Sequence, residues 1–349
     1  MASRGVASVL GESMSTPTAS APSGVRIAVD AMGGDHGPAE IVPGAIDYAT
    51  THPEDTILLV GDEARLRAIA PTLPPNVSIV QASEVIGMDE HPVEALREKK
   101  DASILVACDL VRHRQADAIV TAGHTGAGMA AAVLRIGRLP GVDRPALAVQ
   151  MVRAGSPFVL LDIGANPDST PENLVQYARM GAIFAERVLG IPEPRVALLS
   201  IGEEKGKGDL RIQKATELLD ATGLRFVGNV EGKDLPGNFA DVVVTDAVTG
   251  NVVIKFFEGL STFIFDLFRA EFRGSWRGRL AALLLAPGIR RIRNVFDYET
   301  AGGSPLLGVK GVVIITHGRA RRRMIGFALA VAARTARTRV PELIAEALR

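Results

Sequence analysis

Val25-Arg-Ile-Ala-Val-Asp-Ala-Met-Gly-Gly-Asp-His-Gly-Pro38 runs from a short apolar stretch into a turn of glycines and small polar residues. Pro38 then fits the first turn of a helix. Four further segments repeat this build. Ala118-Ile-Val leads into Thr121-Ala-Gly-His-Thr-Gly-Ala-Gly128, and Phe158-Val-Leu-Leu into Asp162-Ile-Gly-Ala-Asn-Pro-Asp168. Val196-Ala-Leu-Leu leads into Ser200-Ile-Gly-Glu-Glu-Lys-Gly-Lys-Gly208, and Val242-Val-Val into Thr245-Asp-Ala-Val-Thr-Gly-Asn251. In a parallel sheet such turns leave the carboxyl ends of their strands at one common edge. Each offers free backbone N–H groups where a helix starts, which favours anions. The pattern predicts a polar cleft built for a phosphate-like group.

Working outward, strands are predicted at 26–30, 56–60, 77–80, 117–121, 195–200, 224–228, 241–245 and 312–316. A hairpin is expected from 146–151 and 158–161 around Ala154-Gly-Ser-Pro157. Helices are expected from Pro38 to about residue 49, as one long stretch from Pro92 to Arg114, over 125–137, and from Thr170-Pro-Glu-Asn to about residue 189. This alternation predicts an α/β fold: a mostly parallel sheet with helices on both faces. The interruption at 250–293 is rich in Phe and Leu, with a break near Gly274. It reads as an αα-hairpin projecting from the sheet, with more apolar residues than one stripe holds.

The chain has 349 residues and no formal net charge, enough for one large α/β domain over 25–349. Balanced charge gives no reason to expect nucleic acid as a partner. The distribution is uneven: from Arg269 onward there are fifteen arginines and Lys310 against five acids. Such a basic third suits anionic lipid or an acidic protein, or else a solvated helix surface. The single cysteine, Cys108, sits in an apolar helical run and reads as a packed thiol in a reducing compartment. Residues 1–24 read as a disordered leader without signal-peptide features, and no unbroken apolar run is long enough to span a bilayer.

The turn residues suit acyl transfer to a phosphate oxygen. There the substrate supplies the nucleophile, and the protein needs only anion donors and oxyanion donors. His36, His124, Thr125, Asn166, Lys205, Lys207, Asn229, Asn251 and His317 provide that inventory. There is no Gly-x-Ser-x-Gly elbow, no Gly-x-Gly-x-x-Gly in the first turn, no P-loop and no zinc-spaced Cys/His set. Neither a metal nor a cofactor is expected. The same residues have structural readings. Asp30 and Asp35 fit a turn and a helix cap, and Asp162 and Asp246 fit acceptors at strand ends. Asn251 fits a helix cap, and Lys205 and Lys207 fit solvated loop charges.

The chain resembles the bacterial phosphate acyltransferases of the PlsX family. The resemblance rests on Ile27-Ala-Val-Asp-Ala-Met-Gly-Gly-Asp35, Thr121-Ala-Gly-His-Thr-Gly-Ala127, Leu161-Asp-Ile-Gly-Ala-Asn166, Ile201-Gly-Glu-Glu-Lys-Gly-Lys-Gly208, Asn229-Val-Glu-Gly-Lys-Asp234, Asp241-Val-Val-Val-Thr-Asp246 with Gly250-Asn-Val252, and Gly302-Gly-Ser-Pro-Leu-Leu-Gly-Val-Lys-Gly311. It implies acyl transfer from acyl carrier protein to inorganic phosphate, giving acyl phosphate for phospholipid synthesis. It also implies a fold like phosphotransacetylases and isocitrate-type dehydrogenases, and a homodimer in the cytoplasm that contacts the inner membrane face. A membrane acyltransferase would act downstream. Lys207 and Asn251 match the family's implicated Lys and Asn. Asp30, Gly33, Gly34, Asp35, His124, Thr125, Gly126, Asn166, Asn229 and Asp246 are expected to shape the phosphate site. Two departures stand out: Ala247-Val-Thr where the family has Gly-Phe, and Arg319-Ala-Arg-Arg-Arg323 where it often has Ser-Ser-Asn. A coenzyme A-dependent phosphotransacetylase, a nicotinamide-dependent dehydrogenase and a non-catalytic membrane scaffold remain as alternatives.

Overall fold

The computed structural model describes residues 24–153, 156–295 and 298–349. The predicted leader and the tip of the 146–161 hairpin therefore lie largely outside the described residues. The strands are β1 (Arg26–Asp30), β2 (Thr56–Gly61), β3 (Val77–Gln81), β4 (Ala118–Thr121), β5 (Ala146–Met151), β6 (Phe158–Leu161), β7 (Val196–Leu199), β8 (Phe226–Val230), β9 (Val242–Val244), β10 (Ser304–Leu307) and β11 (Val312–Ile315). Among the described residues they form one sheet of eleven strands in the order β3-β2-β1-β4-β11-β10-β5-β6-β9-β7-β8. The pairings β11–β10, β10–β5 and β5–β6 are antiparallel, and the other seven are parallel.

That pattern corrects one expectation. Three antiparallel steps between β11 and β6 reverse the strand direction, so the block β6-β9-β7-β8 runs opposite to the block β3-β2-β1-β4-β11. The Gly-rich turns do not share one edge. Those after β1, β4 and β11 lie at one, and those after β6, β7 and β9 at the other. The hairpin is legible in the sequence, but its effect on strand polarity depends on β10, whose Ser304-Pro-Leu-Leu307 carries no strand signature.

The helices are α1 (Pro38–Thr51), α2 (Glu63–Ile69), α3 (Pro92–Glu98), α4 (Ser103–Arg112), α5 (Thr125–Ala131), α6 (Pro171–Arg187), α7 (Leu210–Asp220), α8 (Ala247–Gly274), α9 (Trp276–Val295), α10 (Arg322–Arg337) and α11 (Val340–Ala347). Strand residues alternate between faces, as the two-residue period requires. Ile27, Val29, Ile57, Leu59, Val120 and Ile314 pack with residues of α1 and α10. In the reversed block, Val159, Leu161, Val196, Leu198, Val242 and Val244 pack with α6, α7 and α11. Ala28, Ile119, Val313, Leu160 and Val243 turn the other way, onto a core shared with α4 and α5. Val253, Ile254 and Phe257 of α8 cover that same core.

The long helix expected from Pro92 to Arg114 is two helices. Asp101 breaks it: its carboxylate accepts from the Ser83 amide at 2.7 Å and the Ser83 hydroxyl at 2.6 Å, and Ala102 bridges Glu84 as extended chain. The helix expected over 125–137 is α5 followed by a wider π turn at Ala132–Ile136. The 250–293 segment is α8 and α9, broken at Ser275, with the Gly278 backbone close against Glu271 and Phe272. By length and composition alone α8 could cross a membrane. Its first turns are instead packed on the sheet. The arginines after β11 are engaged within the fold: Arg321 faces Glu40 at 3.8 Å, Arg322 pairs with Asp47, and Arg323 pairs with Glu299 at 3.1 Å.

A buried charge cluster locks the β5–β6 hairpin to β9. The Arg153 guanidinium, 1% exposed, donates to Asp241 at 2.8 Å and to the Ser156 carbonyl at 3.0 Å, and Arg195 donates to Asp241 at 2.9 Å. Burial would raise the Asp241 carboxyl, but the bonds from Arg195 and then Arg153 overcome that and hold it at about 2. The folded-state value lies below the ordinary carboxylate value of about 4. This contribution is therefore complete above about pH 4 and is lost as pH falls toward 2. In denaturant titrations, the wild type is expected to lose stability on the order of 2 kcal/mol more than Asp241→Asn across that window. Parallel acid dependence of the two proteins would contradict the assignment.

Candidate functional site

At the first edge, Asp30 ends β1 and is 2% exposed. Its carboxylate accepts from the Ser103 hydroxyl at 2.6 Å and the Thr121 hydroxyl at 2.8 Å. Burial raises its pKa, while bonds from Ser103, Thr121 and the amides of Met32 and Gly33 pull against that. Asp30 therefore clasps the β1 turn to the β4 turn. Gly34 has φ +83°, and a Cβ there would meet the carbonyls of Ala122 and Gly318 at 2.9 and 3.0 Å. No other residue fits without strain. The Asp35 amide donates to that same Gly318 carbonyl at 2.8 Å, joining the β1 and β11 turns. Gly33 lies against Gly123, and Gly126 against the His124 ring and Pro92. His124 caps α5, its Nδ1 accepting from the amides of Gly126 at 3.1 Å and Ala127 at 3.4 Å. That role requires Nδ1 to be unprotonated.

At the second edge, Asp162 organises the turn after β6. It accepts from the amides of Leu147, Gly164, Ala165 and Asn166 at 2.8–3.1 Å, and from the Asn166 side chain at 3.1 Å. Asn166 also donates to the Pro145 carbonyl. Asp246 caps α8 through the amides of Val248 and Thr249, both at 3.0 Å, and faces Arg211 at 3.1 Å. Burial would raise the Asp246 carboxyl, but the Thr249 bonds and Arg211 hold it below the usual range. Asn229 is buried and donates to the Glu204 carbonyl at 3.1 Å, anchoring the loop that carries Lys207. Lys205 pairs with Asp220 at 2.7 Å. Lys207 is solvent-exposed on that loop.

The two edges meet through α8. A Cβ on Gly250 would fall 2.0 Å from the Asp162 carbonyl oxygen, so glycine lets the helix start directly on the second-edge turn. Two turns on, α8 reaches the first edge. Lys255 Nζ lies 3.0 Å from Glu258, and His317 Nε2 lies 3.3 Å from the same carboxylate. Burial would raise Glu258, but His317 and Lys255 hold it at about 2, so it is ionised at neutral pH. Between α8 and the strands lies a cavity of about 300 Å³. Leu147, Val149 and Met151 of β5 and Ile254 and Phe257 of α8 give it apolar walls. Thr125, Asn251, Lys255, Glu258, Thr316 and His317 give it polar groups.

Thus Asn251 and Thr125, with His317 from the donor inventory, line the cavity. Asp30, His124, Asn166, Asn229 and Asp246 hold the turns in shape, with Gly33, Gly34, Asp35 and Gly126 forming them. Lys207 lies outside the cavity wall. Lys255 and Glu258 were missed, although Asn251, Lys255 and Glu258 follow a helical spacing that puts them on one face. Thr316 was missed because a threonine ending a strand carries no distinctive signal.

The family model described as "Fatty acid synthesis protein" matches residues 25–343. The chain is 48% identical over 311 residues to a phosphate acyltransferase of Desulfitobacterium hafniense (strain Y51), covering 88% of this chain and 92% of that one. It is 49% identical over 316 residues to a phosphate acyltransferase of Heliobacterium modesticaldum, covering 88% and 93%. Among solved structures, a phosphotransacetylase from Streptococcus pyogenes superposes with a TM-score of 0.61 at 18% identity, over 90% of this chain and 94% of that one. That likeness shows the fold.

Asp162→Ala leaves the buried Leu147 amide without its acceptor, a cost of about 1–3 kcal/mol, and removes the bonds to the part-buried amides of Ala165 and Asn166 and to the Gly164 amide. The variant is expected to lose about 2–4 kcal/mol in denaturant unfolding. Amide exchange should accelerate first at Gly164, Ala165 and Asn166. Unchanged exchange at those three amides would contradict the organising role of Asp162.

Proposed function

We propose, for a chain that belongs to the phosphate acyltransferase family and is an acyltransferase, that the group it transfers is a fatty acyl chain and the donor is the thioester of acyl carrier protein. The acceptor is inorganic phosphate. One observation carries the reading: the cavity between β5 and α8 has apolar walls and polar groups that include Asn251. Apolar walls stabilise an acyl chain by about 0.8 kcal/mol per buried CH₂. The thioester carbonyl then sits at the polar groups.

A phosphate oxygen attacks the carbonyl carbon and a C–O bond forms. The tetrahedral species places negative charge on the former carbonyl oxygen, where the Asn251 amide donates. It collapses by breaking the C–S bond, and the proton of hydrogenphosphate ends on the carrier thiol. The products are acyl phosphate and free carrier. No side-chain nucleophile takes part. Cys108 is fully buried, and burial pushes its thiol up, away from thiolate chemistry. Lys207, exposed on its loop, draws the anion toward the second edge.

The outer face of α8 supports a second copy of the chain as partner, since Val248, Val252, Phe256 and Phe263 are exposed at helical spacing. Near the α8–α9 turn, exposed Trp276, Leu283 and Leu284 stand beside Arg273, Arg277 and Arg279, a combination suited to an anionic membrane surface. We read the protein as cytoplasmic and peripherally bound to the inner membrane face. There its mixed anhydride product passes to a membrane acyltransferase for phosphatidic acid synthesis.

Purified enzyme is expected to consume long-chain acyl-carrier thioester only when phosphate is added, and faster than acyl-coenzyme A supplied in parallel. Thioester loss independent of phosphate, or preference for coenzyme A, overturns the donor assignment. Asn251→Ala and Lys207→Ala alter exposed side chains and should stay folded. Asn251→Ala is expected to lose about 10²–10³-fold in turnover, and Lys207→Ala to lose about tenfold or more in kcat/KM for phosphate at low ionic strength; near-normal values would remove these roles. The full chain should float with liposomes containing anionic lipid, and failure to do so removes the membrane contact.

A further inference from the structure

Lys207 stands outside the cavity, which leaves open which cation meets phosphate inside it. The cavity has its own candidates. Thr316 is 3% exposed, lines the cavity, and its hydroxyl is buried without a hydrogen-bond partner among the described residues. A buried hydroxyl left unsatisfied costs about 1–3 kcal/mol, so such an atom takes a water or a ligand as its partner. Lys255 lies one turn beyond Asn251 on the same face of α8, and both line the cavity. Its ammonium has three N–H donors, and Glu258 accepts at 3.0 Å. Glu258 also meets His317 at 3.3 Å, and His317 follows Thr316 directly in the chain. The carboxylate therefore fixes Lys255 of α8 next to the turn that presents Thr316.

We propose that Lys255 and Thr316, with Asn251 beside them, form the seat of the inorganic phosphate, and that Glu258 with His317 holds Lys255 in position to receive it. This rests on the acyl-to-phosphate reading above and names the residues that bind the acceptor. The seat joins the two edges: Asn251 and Lys255 come from the helix after β9, and Thr316 from the end of β11. Phosphate bound there lies against the carbonyl end of an acyl chain in the apolar part of the cavity. Glu258 does not repel it as a bare charge would, because Lys255 and His317 both lie on its carboxylate.

Two measurements on the full-length enzyme test the seat. In steady-state kinetics, Lys255→Ala and the near-isosteric Thr316→Val are expected to raise KM for phosphate at least tenfold while leaving KM for the acyl donor within twofold. Lys255→Arg should recover part of the loss, and thermal melting verifies that each variant is folded. In titration calorimetry with inorganic phosphate alone, the wild type should bind and Lys255→Ala should bind at least tenfold more weakly. Unchanged KM for phosphate in both variants overturns the seat while the transfer reaction stands. Absence of phosphate-dependent turnover in the wild type overturns the reaction instead, and calorimetry still decides the seat. Equal phosphate binding by wild type and Lys255→Ala overturns it.

Discussion

The three antiparallel pairings at the centre of the sheet, β11–β10, β10–β5 and β5–β6, set the direction of everything on either side. An odd number of such steps turns one parallel block against the other. Helix starts with free N–H groups then lie at two separate edges, and neither edge alone is a site. A chain with this sheet needs an element that crosses from one edge to the other. α8 does so, beginning on the Asp162 carbonyl and reaching His317 within its first twelve residues. The cavity exists where that crossing leaves β5 uncovered.

Around this crossing, buried carboxylates do the organising. Asp30, Asp162 and Asp246 are each at most 6% exposed, and their oxygens are taken up by amides and hydroxyls, with Arg211 added at Asp246. A buried carboxylate is tolerable only when its lone pairs are filled in this way. Asp241, at a strand start, is filled by the guanidiniums of Arg153 and Arg195 together with the Arg195 amide. The turns that look in sequence like a row of binding residues are therefore largely self-satisfied frames. The groups left to meet a ligand come from α8 and from the end of β11.

Much of this was legible in the sequence. The strand-turn-helix segments, the α/β class, the hairpin at 146–161 and the helical interruption near 250–293 all follow from periodicity and punctuation. The structural reading of Asp246 was legible too, since it precedes the amides it caps; Asp30 bonds Ser103 and Thr121, far away in sequence, and α1 starts after Gly37 without a side-chain cap from Asp35. Edge assignment was not, because it depends on β10, whose Ser-Pro-Leu-Leu is too short and too flanked by glycine to announce a strand. The break after α3 was hidden as well. Nothing local in Lys99-Lys-Asp-Ala102 stops a helix; the stop comes from Ser83, far away in sequence. The arginines after β11 looked available to a partner, but their acids lie on α1 and near β10.

The contact at Gly250 has a consequence for how the chain tolerates changes in length. With no room between that backbone and the Asp162 carbonyl, the starting angle of α8 about its own axis is fixed. One residue gained or lost between Gly250 and Glu258 would rotate all later side chains by about 100°. Such a shift upstream of Lys255 would carry Lys255 and Glu258 away from His317 and swing apolar residues of the outer surface toward the cavity. The opening turns of α8 therefore cannot accept insertions or deletions.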